Sequence, residues 1–466
     1  MSATLLIRHP PGYEPERAYI LDTVLSEFLG LDYTASADDR ADLEITLAGD
    51  SSGARLVLAD TLFQTPREDW LSAASLPTRP LAVFSLAAGG VDAVTVDDSV
   101  PVLYGSPFPD GSYLDRSGSE LRLGLDVLGS AFFMLSRYEE LVVATRDEHD
   151  RFPARASLAQ AEGFLDRPIV NEYLEILSWA LARLWPRLPR AKHEFRLRPS
   201  HDVDFPLFQI GREEAVRRAL RELRREHAPW VATRRLLGSF GLRSHAPRRD
   251  LYNTFACIMD ADERAGTRGA FNFITAHTAG PIDGSYSIDD PWVRGLLRSL
   301  HERGHEIGLH PSYETFRDPE QTLREFQALR RACEEEGIDQ PSFGGRQHYL
   351  RWENPTSWQN WEDAGLAYDS TLSFADQAGF RSGVCFEYPV FNLRTRRVLA
   401  LRERPLVAMD ASLLEYARLS PESATERLLE LKRRCRLFGG EFTLLWHNDR
   451  LLSRSARRAY DLALCK

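Results

Sequence analysis

Apolar and polar positions alternate or cluster in short runs near the start of the chain, over Ala3–Ile7, Leu43–Leu47 and Arg55–Leu58, which reads as strands. Between the first two, Pro15–Leu29 keeps its apolar residues on one helical face. A further apolar run at Pro101–Gly105 precedes two helical stretches, Asp126–Leu141 and Pro168–Trp185, joined by a polar connection at Asp147–Ser157. Pro168 suits the first position of a helix, where its missing N–H is no loss. Alternating helices and strands with short turns predict a small α/β layer domain. The segment Pro186–Ser200 is rich in proline and charge, and the boundary is placed near residue 190. The expected organisation is an N-terminal α/β accessory domain over 1–190 and a second domain over 191–466.

The second domain changes rhythm. Strand-like runs lead to Ser200–Pro206 and recur at Gly269–Thr275, His305–His310, the start of Ser342–Trp352, Ala367–Phe374, Arg397–Leu406 and Glu441–Asn448. Helical patterns at Asp290–Gly304, Gln321–Gly337 and Pro421–Gly440 separate them. Helices between short apolar strands imply a parallel sheet, and this many repeats favour a barrel over a flat sheet. Asp202, His310, Arg346, Asp369 and His447 each fall at the C-terminal end of such a strand, the end at which (β/α) barrels build their sites. An Arg-rich stretch at about 212–249, within an insertion of about 207–250, reads either as a solvated helical pair or as a lid or docking face. In the second reading it would meet an anionic substrate or a membrane surface, and Arg217, Arg218 and Arg221 would carry the contact.

Composition narrows the class. The chain has 466 residues, 43% hydrophobic and 27% charged, which is globular material and not a low-complexity chain. A formal net charge of -10 argues against nucleic acid as a partner. Five cysteines without a CxxC pair read as reduced thiols. The opening apolar run is short for an export signal, and no stretch reaches the ~20 apolar residues of a membrane helix. The expectation is a soluble, cytoplasmic protein.

Asp202 and Asp204 stand two apart on a strand end, so both carboxylates face one side. Adjacent carboxylates repel, which suits one to a cation and the other to a base. His305 and His310, five apart on a strand, face opposite ways, so His305 is expected to pack or cap. Glu314 lies four past His310, a helical spacing that would bring the two together. Arg346 beside a carboxylate would orient it and keep it ionised. His348 reads as a metal ligand, a substrate donor or a loop histidine, and His447 as a general acid. Arg137, Tyr138 and Glu139, polar groups on an apolar helix, are expected in buried structural pairing.

These residues carry a resemblance. From about 195 to 466, SHDVD, GAFNFIT, GHEIGLHPSYE, RQHY, YDSTLSF and LLWHN resemble the motifs of the NodB-homology polysaccharide deacetylase superfamily (carbohydrate esterase family 4). FFMLSRYEE, DEHDRF, RQHYLRW and GFRSG resemble a subgroup with an extra N-terminal α/β domain. The resemblance implies a deformed (β/α) barrel of the NodB type with a smaller N-terminal α/β domain. It implies a metal-dependent hydrolase that removes an N-acyl group, above all N-acetyl, from a sugar or glycan precursor. Asp202 becomes the general base, Arg346 its orienting partner, Tyr349 the backbone oxyanion donor and His447 the acid that protonates the leaving amine. Asp204 and His310 become ligands of a divalent ion, with zinc expected and manganese or cobalt as alternatives. The family's second-motif histidine, four past the first, is here Glu314. Either Glu314 or His348 then completes the site, and His348 is preferred because it replaces a proline facing the same centre. The competing expectations are a metal-independent or deformylase-type amidase on a lipid-linked or small amide, and an inactive glycan-binding barrel.

Overall fold

A computed structural model describes residues 4–208, 215–217, 219–220, 223, 229–239, 247 and 250–465. Most of the Arg-rich stretch, including Arg218 and Arg221, lies outside the described residues. No described helix is long and apolar enough to cross a membrane.

The first half is built on eight strands: β1 (Thr4–His9), β2 (Asp32–Ala37), β3 (Leu43–Leu47), β4 (Arg55–Leu58), β5 (Ala82–Ser85), β6 (Ser99–Val102), β7 (Leu114–Ser117) and β8 (Glu120–Leu123). Six form a mixed sheet in the order β2-β1-β3-β4-β8-β7, and β5 and β6 pair as a separate hairpin. The stretch expected as one helix from Asp126 to Leu141 is two, Val127–Leu135 and Glu139–Val142. Arg137 breaks it with a φ of 53°, and its buried guanidinium turns to Glu139 and Glu140 at 2.8 and 2.9 Å.

The second half carries β9 (Arg196–Val203), β10 (Ala270–Phe273), β11 (Glu306–Leu309), β12 (Gly344–Gly345), β13 (Tyr368–Asp369), β14 (Tyr388–Asn392), β15 (Arg397–Glu403), β16 (Ala408–Met409) and β17 (Glu441–Leu445). Their order is β14-β15-β13-β12-β11-β10-β9-β17-β16, parallel throughout except for β14. The expected barrel is therefore met in part: among the described residues no ladder closes the sheet on itself. One run of chain, Arg397–Met409, pairs with β13 through β15 and with β17 through β16, so it reaches both sides of the sheet, with β14 added antiparallel outside β15.

Local sequence explains the helices on this sheet. Pro291–Glu302 starts on proline, and Pro319–Glu335 and Pro421–Leu437 add a cap, Asp318 accepting the Gln321 N–H at 2.9 Å and Ser420 that of Ser423 at 3.2 Å. One apolar core runs through both halves. Phe391 packs on Tyr19 and Phe132, with ring centroids at 5.1 and 5.6 Å, and Phe386 on Phe28 at 5.4 Å. Beside it the buried Arg381 pairs with Glu140 at 2.6 Å, and Tyr388 donates to the Leu135 carbonyl at 3.1 Å. The pairing expected for Arg137 and Glu139 is thus part of a buried ionic cluster that spans the two halves.

Candidate metal centre

The parallel register sets the C-terminal ends of β9, β10, β11, β12 and β17 side by side. Asp202 pairs with Asn272 across the β9–β10 ladder, and Asn272 with Gly308 across β10–β11. His310 follows β11, Arg346 follows β12 and His447 lies two past the end of β17. Asn272 Nδ2 donates to Asp202 Oδ1 at 2.7 Å, its side chain lying over Gly308. A Cβ at Gly308 would sit 2.1 Å from Asn272 Oδ1, so a residue without one is required there.

Asp202 is buried, and Arg346 is locked beneath it. Arg346 Nη1 donates to Asp202 Oδ1 at 2.9 Å, Nη2 to the hydroxyls of Ser200 and Ser370 at 2.9 and 3.0 Å, and Nε to the Ser370 carbonyl at 2.8 Å. Burial alone would raise the Asp202 pKa, but Arg346 and then His310 outweigh it and hold the carboxyl below its ordinary range. Oδ1 is thereby occupied, and Oδ2 is left facing His310 Nε2 at 3.8 Å.

Asp204, His310 and His348 bring one oxygen and two ring nitrogens within 4.8 Å of one another. Asp204 Oδ1 stands 3.2 Å from His310 Nε2 and 3.8 Å from His348 Nε2. The same Oδ1 is buried and has no hydrogen-bond partner among the described residues, a costly state for a carboxylate without a cation. Four-coordinate zinc with bonds near 2.0–2.2 Å needs ligand atoms about 3.3–3.5 Å apart, a value that the two carboxylate–imidazole distances, 3.2 and 3.8 Å, bracket. Two imidazoles and a carboxylate also suit other divalent first-row ions. The residues fit a divalent cation.

Both histidines are oriented from behind. His310 Nδ1 lies 2.5 Å from the Arg346 carbonyl, which fixes the proton on Nδ1 and turns Nε2 to the centre. His348 Nδ1 lies 2.8 Å from Asp283 Oδ1, the carboxylate–histidine arrangement common behind metal ligands. Asp283 is fully buried and also accepts the N–H groups of Tyr313 and Ala279 at 2.7 and 2.8 Å. Burial pushes the Asp204 pKa up, yet His348, His310 and His447 together drive it far below the carboxylate range.

His447 completes the ring, with Nε2 3.7 Å from Asp204 Oδ2 and Nδ1 2.8 Å from Asp410 Oδ1. Asp410 also accepts the His447 N–H at 2.9 Å and is fully buried. Burial disfavours the charged ring, but Asp410 first, and then Asp204 and Asp202, raise its pKa to about 10. A cation on Asp204 would draw it back toward neutrality.

Two residues that the sequence placed near this centre stand apart from it. Glu314 sits in a turn of 3-10 helix, Tyr313–Arg317, and pairs with Arg351 at 3.0 Å, its side chain 57% exposed. Asp369 bonds the Thr371 N–H at 2.9 Å and lies on the same rung as Glu403. Burial lifts the Asp369 carboxyl to about 7 and raises Glu403 well above its ordinary value, the behaviour of two acids buried together. His305 packs as expected, its Nδ1 accepting the Gly269 N–H at 3.1 Å. His201 is buried in a structural network with Asp262, Tyr460 and the Trp446 carbonyl. Asp283 and Asp410 were not foreseen. A cavity of about 260 Å³ adjoins Asp204, walled mainly by Phe205, Leu207, Tyr286, Trp292 and Val293.

A family profile described as "Family of unknown function (DUF7033)" matches residues 5–186. No curated protein matches the chain. Among solved structures, a "putative polysaccharide deacetylase" from Mycobacterium smegmatis is 16% identical over 59% of this chain and 83% of its own, with a TM-score of 0.36. A "probable Polysaccharide deacetylase" from Pseudomonas aeruginosa PAO1 is 11% identical over 58% and 83%, with a TM-score of 0.34. Agd3, "a novel carbohydrate deacetylase", is 10% identical over 97% and 80%, with a TM-score of 0.32.

Proposed function

We propose that the protein is a metal-dependent hydrolase of a carbon–nitrogen amide bond, and that its substrate is an N-acylated, above all N-acetylated, sugar or glycan precursor. The observation that carries the reading is Asp204 Oδ1, buried between two imidazole nitrogens without a hydrogen-bond partner among the described residues, with a carboxylate–arginine pair on one side and a histidine–carboxylate pair on the other.

Asp204, His310 and His348 would hold the cation, with zinc the first choice and manganese or cobalt next. Bound there, the ion would acidify a water and polarise an acyl carbonyl. Asp202 would take the proton of the attacking water on Oδ2, since Oδ1 is engaged by Arg346 and Asn272. Arg346 would keep that carboxylate ionised and aimed. The Tyr349 N–H would donate to the developing oxyanion. His447, held as a proton carrier by Asp410, would protonate the amine as the C–N bond breaks. The mainly apolar cavity beside Asp204 suits the hydrocarbon part of an acyl group. An acid, an orienting arginine and a base around one cation site favour turnover over a glycan-binding module.

The test is a panel of N-acetylated and N-formylated sugars, assayed before and after chelation and again after zinc is restored. Activity should vanish on chelation, return with metal and be absent in Asp204→Ala. Activity that survives both chelation and Asp204→Ala would overturn the reading.

A further inference from the structure

The stretch Asp147–Arg151 belongs by sequence to the first half of the chain, yet it lies against the turn that carries His348. Two guanidiniums cross between them. Arg151 Nη1 donates to the Tyr349 carbonyl at 3.0 Å, and Arg351 Nε donates to the His149 carbonyl at 3.0 Å. Arg151 is itself fixed, its Nε on Asp147 Oδ2 at 2.8 Å and its Nη2 3.3 Å from the Tyr416 hydroxyl. Asp147 Oδ1 in turn accepts the N–H groups of His149 and Arg151, both at 2.9 Å. The His149 ring lies 2.8 Å from the Tyr313 hydroxyl and 4.9 Å, centroid to centroid, from the Tyr349 ring.

The turn gripped in this way is one that side chains resist. Tyr349 (φ 61°, ψ 12°) and Leu350 (φ 55°) are both left-handed, in succession, and neither is glycine. The turn closes through Leu350 N–H on the Gln347 carbonyl at 3.0 Å and Arg351 N–H on the His348 carbonyl at 3.2 Å. Strained backbone of this kind persists where its surroundings over-determine it. The residue just before the strained pair is His348, and the N–H between them is that of Tyr349.

We infer that Arg151 is a positioning residue: it holds the left-handed Tyr349–Leu350 turn so that His348 and the Tyr349 N–H keep their places at the metal centre, which makes the first half of the chain part of the site. What the centre then does rests on the function proposed above, whereas the clamp rests on the contacts alone.

The experiment uses the full chain with Arg151→Gln, Arg151→Lys and Arg151→Ala. On an N-acetylated sugar turned over by the unaltered protein, kcat should fall about 10–100-fold in Arg151→Gln, the scale of a displaced catalytic geometry. KM and zinc stoichiometry should stay within twofold, and added guanidinium should restore part of the Arg151→Ala loss. Independently of turnover, NMR of protein labelled with ¹⁵N-histidine should show the His348 ring nitrogens shifted in Arg151→Gln, with those of His201 unmoved. A kcat within twofold of the parent, or unmoved His348 nitrogens, would overturn the inference. So would failure of both Arg151→Gln and Arg151→Lys to fold, since that assigns Arg151 a purely structural task. If the unaltered protein turns over no N-acyl substrate, the hydrolase reading falls while the nitrogen shifts still decide the clamp.

Discussion

Replacing Asp283 by asparagine changes one atom of a group that contributes no ligand itself. Its carboxylate accepts three N–H groups, from His348 Nδ1, Tyr313 and Ala279, all at 2.7–2.8 Å. An amide has one accepting oxygen, so one end of the side chain must turn an NH₂ toward an N–H. A buried polar group left without its partner costs about 1–3 kcal/mol. The imidazole also loses the negative charge that makes Nε2 a better donor to a cation. Partners of this kind are worth about 10–100-fold in metal affinity, or about 1.4–2.7 kcal/mol. Chelator competition with zinc should therefore report a Kd raised 10–100-fold in Asp283→Asn, with His310 still in place. The metal-free protein should melt earlier as well, and the difference should depend on pH. Burial raises the Asp283 pKa, but His348 and the two amides outweigh it and hold the group below its ordinary value of 3.8. A depressed folded pKa contributes stability above about pH 4, lost as pH falls through the folded value, so the two proteins should converge in acid. A zinc Kd within twofold of the parent, alongside a clear drop in melting temperature, would refute the ligand-orienting account and leave Asp283 a packing residue.

Three further changes probe the rest of the centre. Asp202→Asn should cut kcat by about 10²–10⁴ while zinc stoichiometry stays at the parental level, as measured by metal analysis of the same sample. Asp410→Asn removes the leading charge that raises the His447 pKa, so the alkaline limb of the kcat profile should move to lower pH; an unmoved limb would take His447 out of the acid role. Gly308→Ala puts a methyl 2.1 Å from Asn272 Oδ1 and should break the Asn272–Asp202 hydrogen bond, lowering stability by about 1–3 kcal/mol and activity with it, read by thermal melts and turnover.

How far the chain could be read in advance depended on how local each cause was. The strands leading to His310 and His447 announced themselves, because a buried parallel strand is a short apolar run and its exit is the first polar residue after it. By contrast β9, Arg196–Val203, is mostly polar, and Asp202 was legible through its pairing with Asp204 two residues on. Asp410 obeys the same rule as the two histidines, closing the apolar run Leu406–Met409, but a strand expected over Arg397–Leu406 stops inside that run and passes over its exit. Asp283 offers no such signal: it lies in a turn of 3-10 helix, Gly280–Asp283, and only the tertiary approach of His348 gives it a task. Asp369 shows the converse, a polar strand exit that turns to a second buried acid, because its rung partner Glu403 is also a carboxylic acid. The choice between Glu314 and His348 went to the histidine on a sequence argument, and the geometry adds the reason that helical spacing fails after His310: the following turn is too short and faces Arg351.

The unbroken apolar core has a consequence for how the chain is handled as an object. A fragment starting near residue 190 would bare Phe386, Phe391 and Tyr388, and would strip Arg381 of its acidic partner. Large aromatics bury about 150–250 Å² each, so such a fragment would be sticky and prone to precipitate when expressed alone. The two halves are better regarded as inseparable cargo, gained or lost together, and neither is a detachable module for grafting onto another enzyme.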